Sequence, residues 1–267
     1  MKISIETRTG NFLTDLSKPI DISRPLAQGE ASPTAYFANP PKFEPVVSED
    51  FIGKVTAGSP VNFLNVSFNP HGNGTHTECI GHILPTNENL ALEPNTINKR
   101  LKEFHCLCWL ITVNPLRAEN GDFVIRLSQV LQLAEDFHPD CKAIAFRTSP
   151  NDSSKITSKY SGSNPAYFHY EVLAWAAESG LEHFLTDMPS VDREEDGGKL
   201  LAHRSFWNVD TAPRENATIT EMIFVPDSVP DGLYLLNLQI APFEMDAAPS
   251  KPMLYILHPE PNKFHID

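Results

Sequence analysis

The sequence predicts an α/β fold: a single compact domain over residues 1–267, built on a mixed β-sheet flanked by helices, with an irregular arm over residues 1–50. Three observations carry this reading. Strand-like and helix-like segments alternate through the middle of the chain, which points to parallel strands joined by helices. Strand-like segments dominate both ends, which makes the sheet mixed. No repeat, low-complexity tract or change of composition divides the 267 residues, so one domain is the simplest account.

The elements follow in order. The first fifty residues are rich in proline and polar residues, as in DLSKPIDISRPL and ANPPKFEPV, and show little periodicity. They read as an arm packed over a core, and ordered loops of that length often act as lids or binding loops. Tyr36 and Phe37 within it either line a pocket or pin the arm to the core. From Val61, VNFLNVSFN alternates as a strand entering the glycine-rich loop NPHGNGTH. A polar stretch follows, then a strand from Phe104 to Val113. Cys106 and Cys108 lie two apart on it and read as small buried hydrophobes on one face. LSQVLQLAEDF, from Leu127, has helical spacing with Ser128 as a possible cap. CKAIAFRT, from Cys141, is a short buried strand, and SSKITSKYSGSNP a polar loop. YEVLAWAAESG is a helix ended by Gly180, and LEHFLTDM a strand. A charged loop, DREEDGGK, and a short apolar segment, LLAHRSFW, come next. ATITEMIFV, LYLLNLQIA and PMLYIL supply the last strands, with a turn at Pro230–Gly232.

Charge and composition exclude some partners. The net charge of -13 repels phosphates, and no run of Lys and Arg interrupts it, so neither nucleic acid nor an anionic membrane is expected as a partner. No window approaches eighteen uncharged apolar residues. The N-terminus MKISIETRTGNF lacks an apolar core of signal-peptide length, so a cytoplasmic location is expected.

Chemistry concentrates in HGNGTHTECIGH, from His71 to His82. Three of the chain's ten histidines and a glutamate fall within these twelve residues. Imidazole and carboxylate are ligands that zinc, manganese and iron accept. On an extended segment His76 and Glu78 point to the same side. They can bind one ion together, or Glu78 can bridge two. Gly72 and Gly74 permit a turn that brings His71 back toward the same place. Taken locally, the stretch also reads as an ordinary turn with solvated histidines, and it matches neither a zinc finger nor H-E-x-x-H. More ligands must come from elsewhere. His203 in LLAHRSFW is either a hydrogen-bonded core residue or such a ligand. Glu221 in ATITEMIFV faces either solvent or the interior; an inward carboxylate needs a metal or cationic partner, because an unpaired buried charge costs several kcal/mol. Cys79 points away from the His76 face, and the neighbouring carboxylate raises its pKa, so it is a poor nucleophile. No G-x-S-x-G occurs.

GTHTECIGH resembles the signature H-x-G-T-H-x-D-x-P-x-H of the cyclase family of metal hydrolases, which includes bacterial kynurenine formamidases and isatin hydrolases. Gly74, Thr75, His76 and His82 match it. Glu78 stands in place of the aspartate, Ile80 in place of the proline and Gly72 in place of the first histidine, with His71 one position earlier. The resemblance extends along the chain. DLSKPID at Asp15 is similar to the family's D-L-[ST]-x-P-[IL] element, FRT from Phe146 to its central strand, and TDMPSVD from Thr186 to its D-x-P-S-[VL]-D segment. A histidine, His203, and a strand glutamate, Glu221, then follow in the family's order.

The resemblance implies a swivelling β/α/β-like architecture and a divalent metal, zinc or manganese, as one or two ions. His76 and Glu78 would be ligands, with Glu78 able to bridge; His203 and Glu221 would hold a second ion or orient water. His71 would be restored as a ligand by a glycine-rich bulge, and His82 would be the general base or acid. Glu215 competes with Glu221, which is preferred because it lies on the strand-like run. The implied reaction is hydrolysis of an amide or cyclic amide of a small-molecule substrate by a homodimer or larger homo-oligomer whose arms reach a neighbouring pocket. The rivals are a non-catalytic small-ligand-binding chain that has lost part of the metal site, and a metal-dependent lyase or cyclising enzyme.

Overall fold

Alternate side chains of CKAIAFRT go to opposite faces: Ala143 and Ala145 to one, Ile144 and Phe146 to the other, and all four are completely buried. A strand of that kind must be covered on both sides. The computed structural model, which describes residues 1–85 and 94–260, shows how. Residues 86–93, part of the polar stretch after His82, and residues 261–267 lie outside the described residues.

The strands His105–Val113, Cys141–Thr148, His183–Thr186 and Thr218–Glu221 run parallel side by side. Their connections carry the helices Leu127–Leu133, Tyr170–Glu178 and Leu201–Trp207, as parallel neighbours require. Antiparallel strands continue the sheet: His76–Cys79 beside Thr218–Glu221, then Ala247–Ile256. Gly232–Ile240 pairs with both Ala247–Ile256 and His105–Val113, which closes seven strands into a barrel-like ring. Ile20–Asp21 attaches outside the ring to Leu254 and Met253.

Two cores result. Small residues such as Cys108, Ala143, Ala145 and Ala248, with Leu110, Leu185 and Leu236, fill the inside of the ring. Between ring and helices lie Ile144, Phe146, Phe168, Phe184, Phe206 and Trp207, with Phe146 and Phe184 stacked at 5.0 Å. Period-2 alternation along each strand sorts the two sets.

The expected strands from Phe104, Cys141 and LEHFLTDM, and those of the C-terminal part, all form. Gly180, at φ 78, ends the helix Tyr170–Glu178 in a left-handed turn, its N–H donating to the Ala177 carbonyl at 3.1 Å. The helix from Leu127 has Arg126, not Ser128, at its N-cap, with the Gln129 side chain accepting from the Arg126 N–H at 3.0 Å. Ser128 lies within the first turn. The arm is only partly irregular. It opens with a β-hairpin, Lys2–Thr7 against Gly10–Asp15, and Lys42–Pro45 pairs with Leu64–Ser67. Between Ser23 and Pro41 it carries no strand. Among the described residues no helix is long and apolar enough to cross a membrane.

A candidate metal centre

Register places the first three groups. His76–Cys79 lies between two strands, with Glu221 opposite His76 and Ile219 opposite Glu78 on one side, and Ala247 opposite Glu78 on the other. Residues two apart share a face, so His76, Glu78 and Glu221 face the same way. Thr77 and Thr220 go to the inside of the ring, where their hydroxyls are 2.8 Å apart. His76 and Glu78 are fully buried and Glu221 nearly so.

The loop before the strand returns His71 to this face. Asn69 and Asn73 brace it: the Asn69 Oδ1 accepts from the Gly72 N–H at 2.9 Å, and the Asn73 Oδ1 from the Asn69 N–H at 2.8 Å. Gly72 fits because it has no side chain; a Cβ there would sit 2.4 Å from the Cβ of Ala38. Gly74 turns the chain at φ 98. An imidazole from position 71, one residue before the signature's position 72, thus faces the cluster, its Nδ1 3.1 Å from Glu78 Oε2.

His203 arrives from the outer layer, on the helix Leu201–Trp207. Asp192 fixes both helix and ring. Its Oδ1 accepts from the Ala202 N–H at 2.8 Å, and its Oδ2 from the His203 N–H at 3.1 Å and from His203 Nδ1 at 2.6 Å. His203 Nε2 then faces Glu78 Oε1 at 3.0 Å and Glu221 Oε1 at 3.9 Å. Glu221 Oε1 also accepts from the Val191 N–H at 3.0 Å. His82 completes the cluster, with Nδ1 3.1 Å from Asp246 Oδ2 and Nε2 3.8 Å from Glu78 Oε2.

Each imidazole thus has one nitrogen engaged from outside the cluster and the other turned into it. His76 Nδ1 donates to the Gly74 carbonyl at 3.1 Å, which leaves the Nε2 lone pair 3.4 Å from Glu221 Oε2. Among the described residues, buried His76 Nε2 and Glu78 Oε2 have no well-aligned hydrogen-bond partner, although His71 Nδ1 faces that oxygen at 3.1 Å. Each such orphan costs about 1–3 kcal/mol. Lone pairs of nitrogen and carboxylate oxygen that face one another need a cation or a proton between them. Without a cation, protons take that place. Burial works against charge on His71, but Asp246 and Glu78 outweigh it and raise its pKa to about 10. Burial likewise opposes charge on His203, and Asp192 and Glu78 raise its pKa well above the usual imidazole range. Burial alone would raise Glu78; the imidazoles of His82, His203 and His71 hold it well below the usual carboxylate range.

The donor set fits a divalent ion. His71, His76 and Glu78 present ligand atoms within 4.8 Å of one another, and so do Glu78, His82 and His203. Glu78 belongs to both groups and can bridge two ions. Imidazole and carboxylate together are donors that zinc and manganese accept.

All six residues singled out for the metal and the proton, His71, His76, Glu78, His82, His203 and Glu221, come together here. Glu215 does not; it pairs with Arg100 at 2.6 Å. A cavity of about 310 Å³ opens onto the cluster, lined among others by Tyr36, Asn69, Ser190, Arg193 and Glu194. Tyr36 lines it, whereas Phe37 is 80% exposed and is not part of its wall. A neighbouring cavity of about 550 Å³ shares Asp192, Arg193 and Asp196 with it. Cys79 lies on the opposite face from Glu78, bonded to the Asn95 carbonyl, and burial pushes its thiol up to about 12. Asp187 of TDMPSVD ties Thr148 and Lys155 instead of the cluster. Sequence reasoning missed Asp246, an acidic residue before a strand that carries no spacing signal.

The model of the family described as "Putative cyclase" matches residues 14–193. Among curated proteins none matches. Among solved structures, the chain is similar to a potential metal-dependent hydrolase with cyclase activity, at 17% identity and TM-score 0.60, covering 91% of this chain and 99% of that one. It is similar to isatin hydrolase A from Ralstonia solanacearum, at 15% identity and TM-score 0.65, over 90% and 92% of the two chains. It is also similar to isatin hydrolase A from Labrenzia aggregata bound to benzyl benzoate, at 14% identity and TM-score 0.60, over 90% and 93%. At these identities the likeness is one of fold.

Proposed function

The chain belongs to the cyclase family, and from that premise we propose that it is a metal-dependent hydrolase of an amide or cyclic amide, arylformamidase- or isatin hydrolase-like. The observation that carries the proposal is the convergence of four imidazole nitrogens on the Glu78 and Glu221 carboxylates, with His76 Nε2 and Glu78 Oε2 orphaned between them.

His71, His76 and Glu78 would hold one zinc or manganese ion; Glu78, His203 and Glu221 would hold a second. When bound, such an ion polarises a carbonyl oxygen and makes water nucleophilic near neutral pH. The chain's own groups supply the rest. Asp192 holds the His203 ring so that Nε2 faces the centre. His82 lines the cavity with Nδ1 engaged, so its Nε2 is free to take a proton from water and return it to the leaving nitrogen. Tyr36 borders the space where a small-molecule substrate would sit. The rival, a ligand-binding chain with an incomplete metal site, drew on Gly72 in the signature; the place of His71 beside Glu78 counts against it.

The chain is proposed to work in the cytoplasm, which its four unpaired cysteines support. A homodimer or larger assembly is supported by the exposed Val47, Ile52, Phe63 and Val66.

The test combines metal analysis of the purified protein with a screen of N-formyl aromatic amines, isatin and lactams, with zinc or manganese added. Bound metal and a hydrolysed amide are expected, with ¹⁸O from labelled water in the product. No bound ion and no gain in Tm on adding either metal would sink the reading. A product without the label would favour a lyase or cyclising enzyme.

A further inference from the structure

One carboxylate oxygen organises two imidazoles of the centre. Asp246 Oδ2 is 2.8 Å from His71 Nε2 and 3.1 Å from His82 Nδ1. A carboxylate only accepts hydrogen bonds, so both nitrogens carry their protons. In the neutral rings the lone pairs are then on the other nitrogens. These are His71 Nδ1, 3.1 Å from Glu78 Oε2, and His82 Nε2, 3.8 Å from the same oxygen. The two rings lie 4.3 Å apart at their centroids with 30° between planes, so both lone pairs are delivered to one place.

The backbone fixes the carboxylate to the centre. The Asp246 carbonyl accepts from the Cys79 N–H at 3.0 Å, and the next residue, Ala247, stands opposite Glu78 in the ladder. The strand that bears His76 and Glu78 therefore also sets where Asp246 sits. At 23% exposure the Asp246 side chain is largely shielded from solvent, which strengthens its hold on both rings.

The geometry points to Asp246 as a positioning residue that sets the tautomers of His71 and His82 together. It thereby couples the grip on the ion to the readiness of the base. This rests on the metal-centre reading above. His71 is a ligand through Nδ1 only while its other nitrogen is held as a donor, and His82 is a base through Nε2 only on the same condition. In this reading Asp246 acts through the two rings, by accepting from His71 Nε2 and His82 Nδ1.

The test measures zinc Kd by competition with a chelating dye on metal-stripped protein, the Tm of the same stripped protein, and kcat and KM on whichever amide the screen returns. Asp246→Ala should weaken zinc about 10–100-fold, in the range usual for a partner behind a ligating histidine, and lower kcat with KM little changed. Asp246→Asn, whose amide oxygen still accepts from both rings, should recover part of both losses. A merely structural Asp246 would lower the Tm of stripped Asp246→Ala and leave zinc Kd alone; that result overturns the inference. So does an Asn variant no better than Ala. A wild-type chain that takes up no zinc or manganese overturns the metal reading itself, and this inference with it.

Discussion

The roles proposed for His76 and His82 divide by burial. His76 is fully enclosed, with its Nε2 lone pair turned to Glu221, so nothing but an ion or a proton can use it. The His82 side chain is 30% exposed and borders the cavity. His76→Ala is therefore expected to abolish both metal uptake and activity. His82→Ala should keep the ion and lose roughly 10²–10⁴ in kcat, the usual contribution of a general acid or base. Metal content by elemental analysis, set beside turnover, separates the two. An emptied site in His82→Ala would show that this ring is a ligand and not the base. The histidine-rich stretch drew attention to His71, His76, Glu78 and His82, but the resemblance to the family signature was needed to join His203 and Glu221 to them, because read locally both were left open. Asp246 was not legible, since a single aspartate before a strand looks like any turn residue. Nothing local reveals that the pairing of its neighbour Ala247 with Glu78 brings it to His71 and His82.

At the level of elements, the loop before His76–Cys79 carries the departure from the family signature. Gly72 admits no side chain, because a Cβ would meet Ala38 at 2.4 Å and the Ala35 carbonyl at 3.1 Å. Gly72→Ala must push the 69–75 loop away from the arm and take His71 with it. The expected cost is about 1–3 kcal/mol of stability, as for other overpacked sites. Zinc should weaken more than the drop in stability alone accounts for. Thermal unfolding with and without zinc measures both; an unchanged zinc Kd would mean His71 is not held by this loop. The glycine-rich loop could be read in advance, but its contact with the arm could not. The helix Leu201–Trp207 was legible only as an apolar segment, because seven residues make two turns and leave little periodicity to detect. The hairpin at Lys2–Thr7 hid for a similar reason: its alternation rests on Ile3 and Ile5, both only half-buried.

At the scale of the whole molecule, the ring closes through Gly232–Ile240, and that closure was invisible in the sequence. His76–Cys79 inserts between two strands that lie more than a hundred residues later in the chain, and periodicity carries no information about such pairings. The parallel strands then enclose a third buried histidine. His183 begins the strand His183–Thr186, is 2% exposed, and is bonded to Thr218 Oγ1 through Nδ1 at 2.9 Å, while Nε2 has no partner among the described residues. Burial pushes its pKa down to about 4; the Glu103 carboxylate opposes this, and Lys142 and Arg214 add to it. The folded pKa therefore lies below that of the unfolded chain, near 6.5. As pH falls through 6.5, the unfolded chain binds a proton that the folded chain refuses, so stability is full above about pH 6.5 and is lost progressively toward pH 4. The loss from this one group is at most about 3 kcal/mol. Urea unfolding of the metal-stripped protein between pH 7 and 4 should show a falling midpoint, and His183→Gln, which cannot take up the proton, should show a smaller fall. Parallel curves for the two proteins would place the acid sensitivity in other groups and remove His183 from the account.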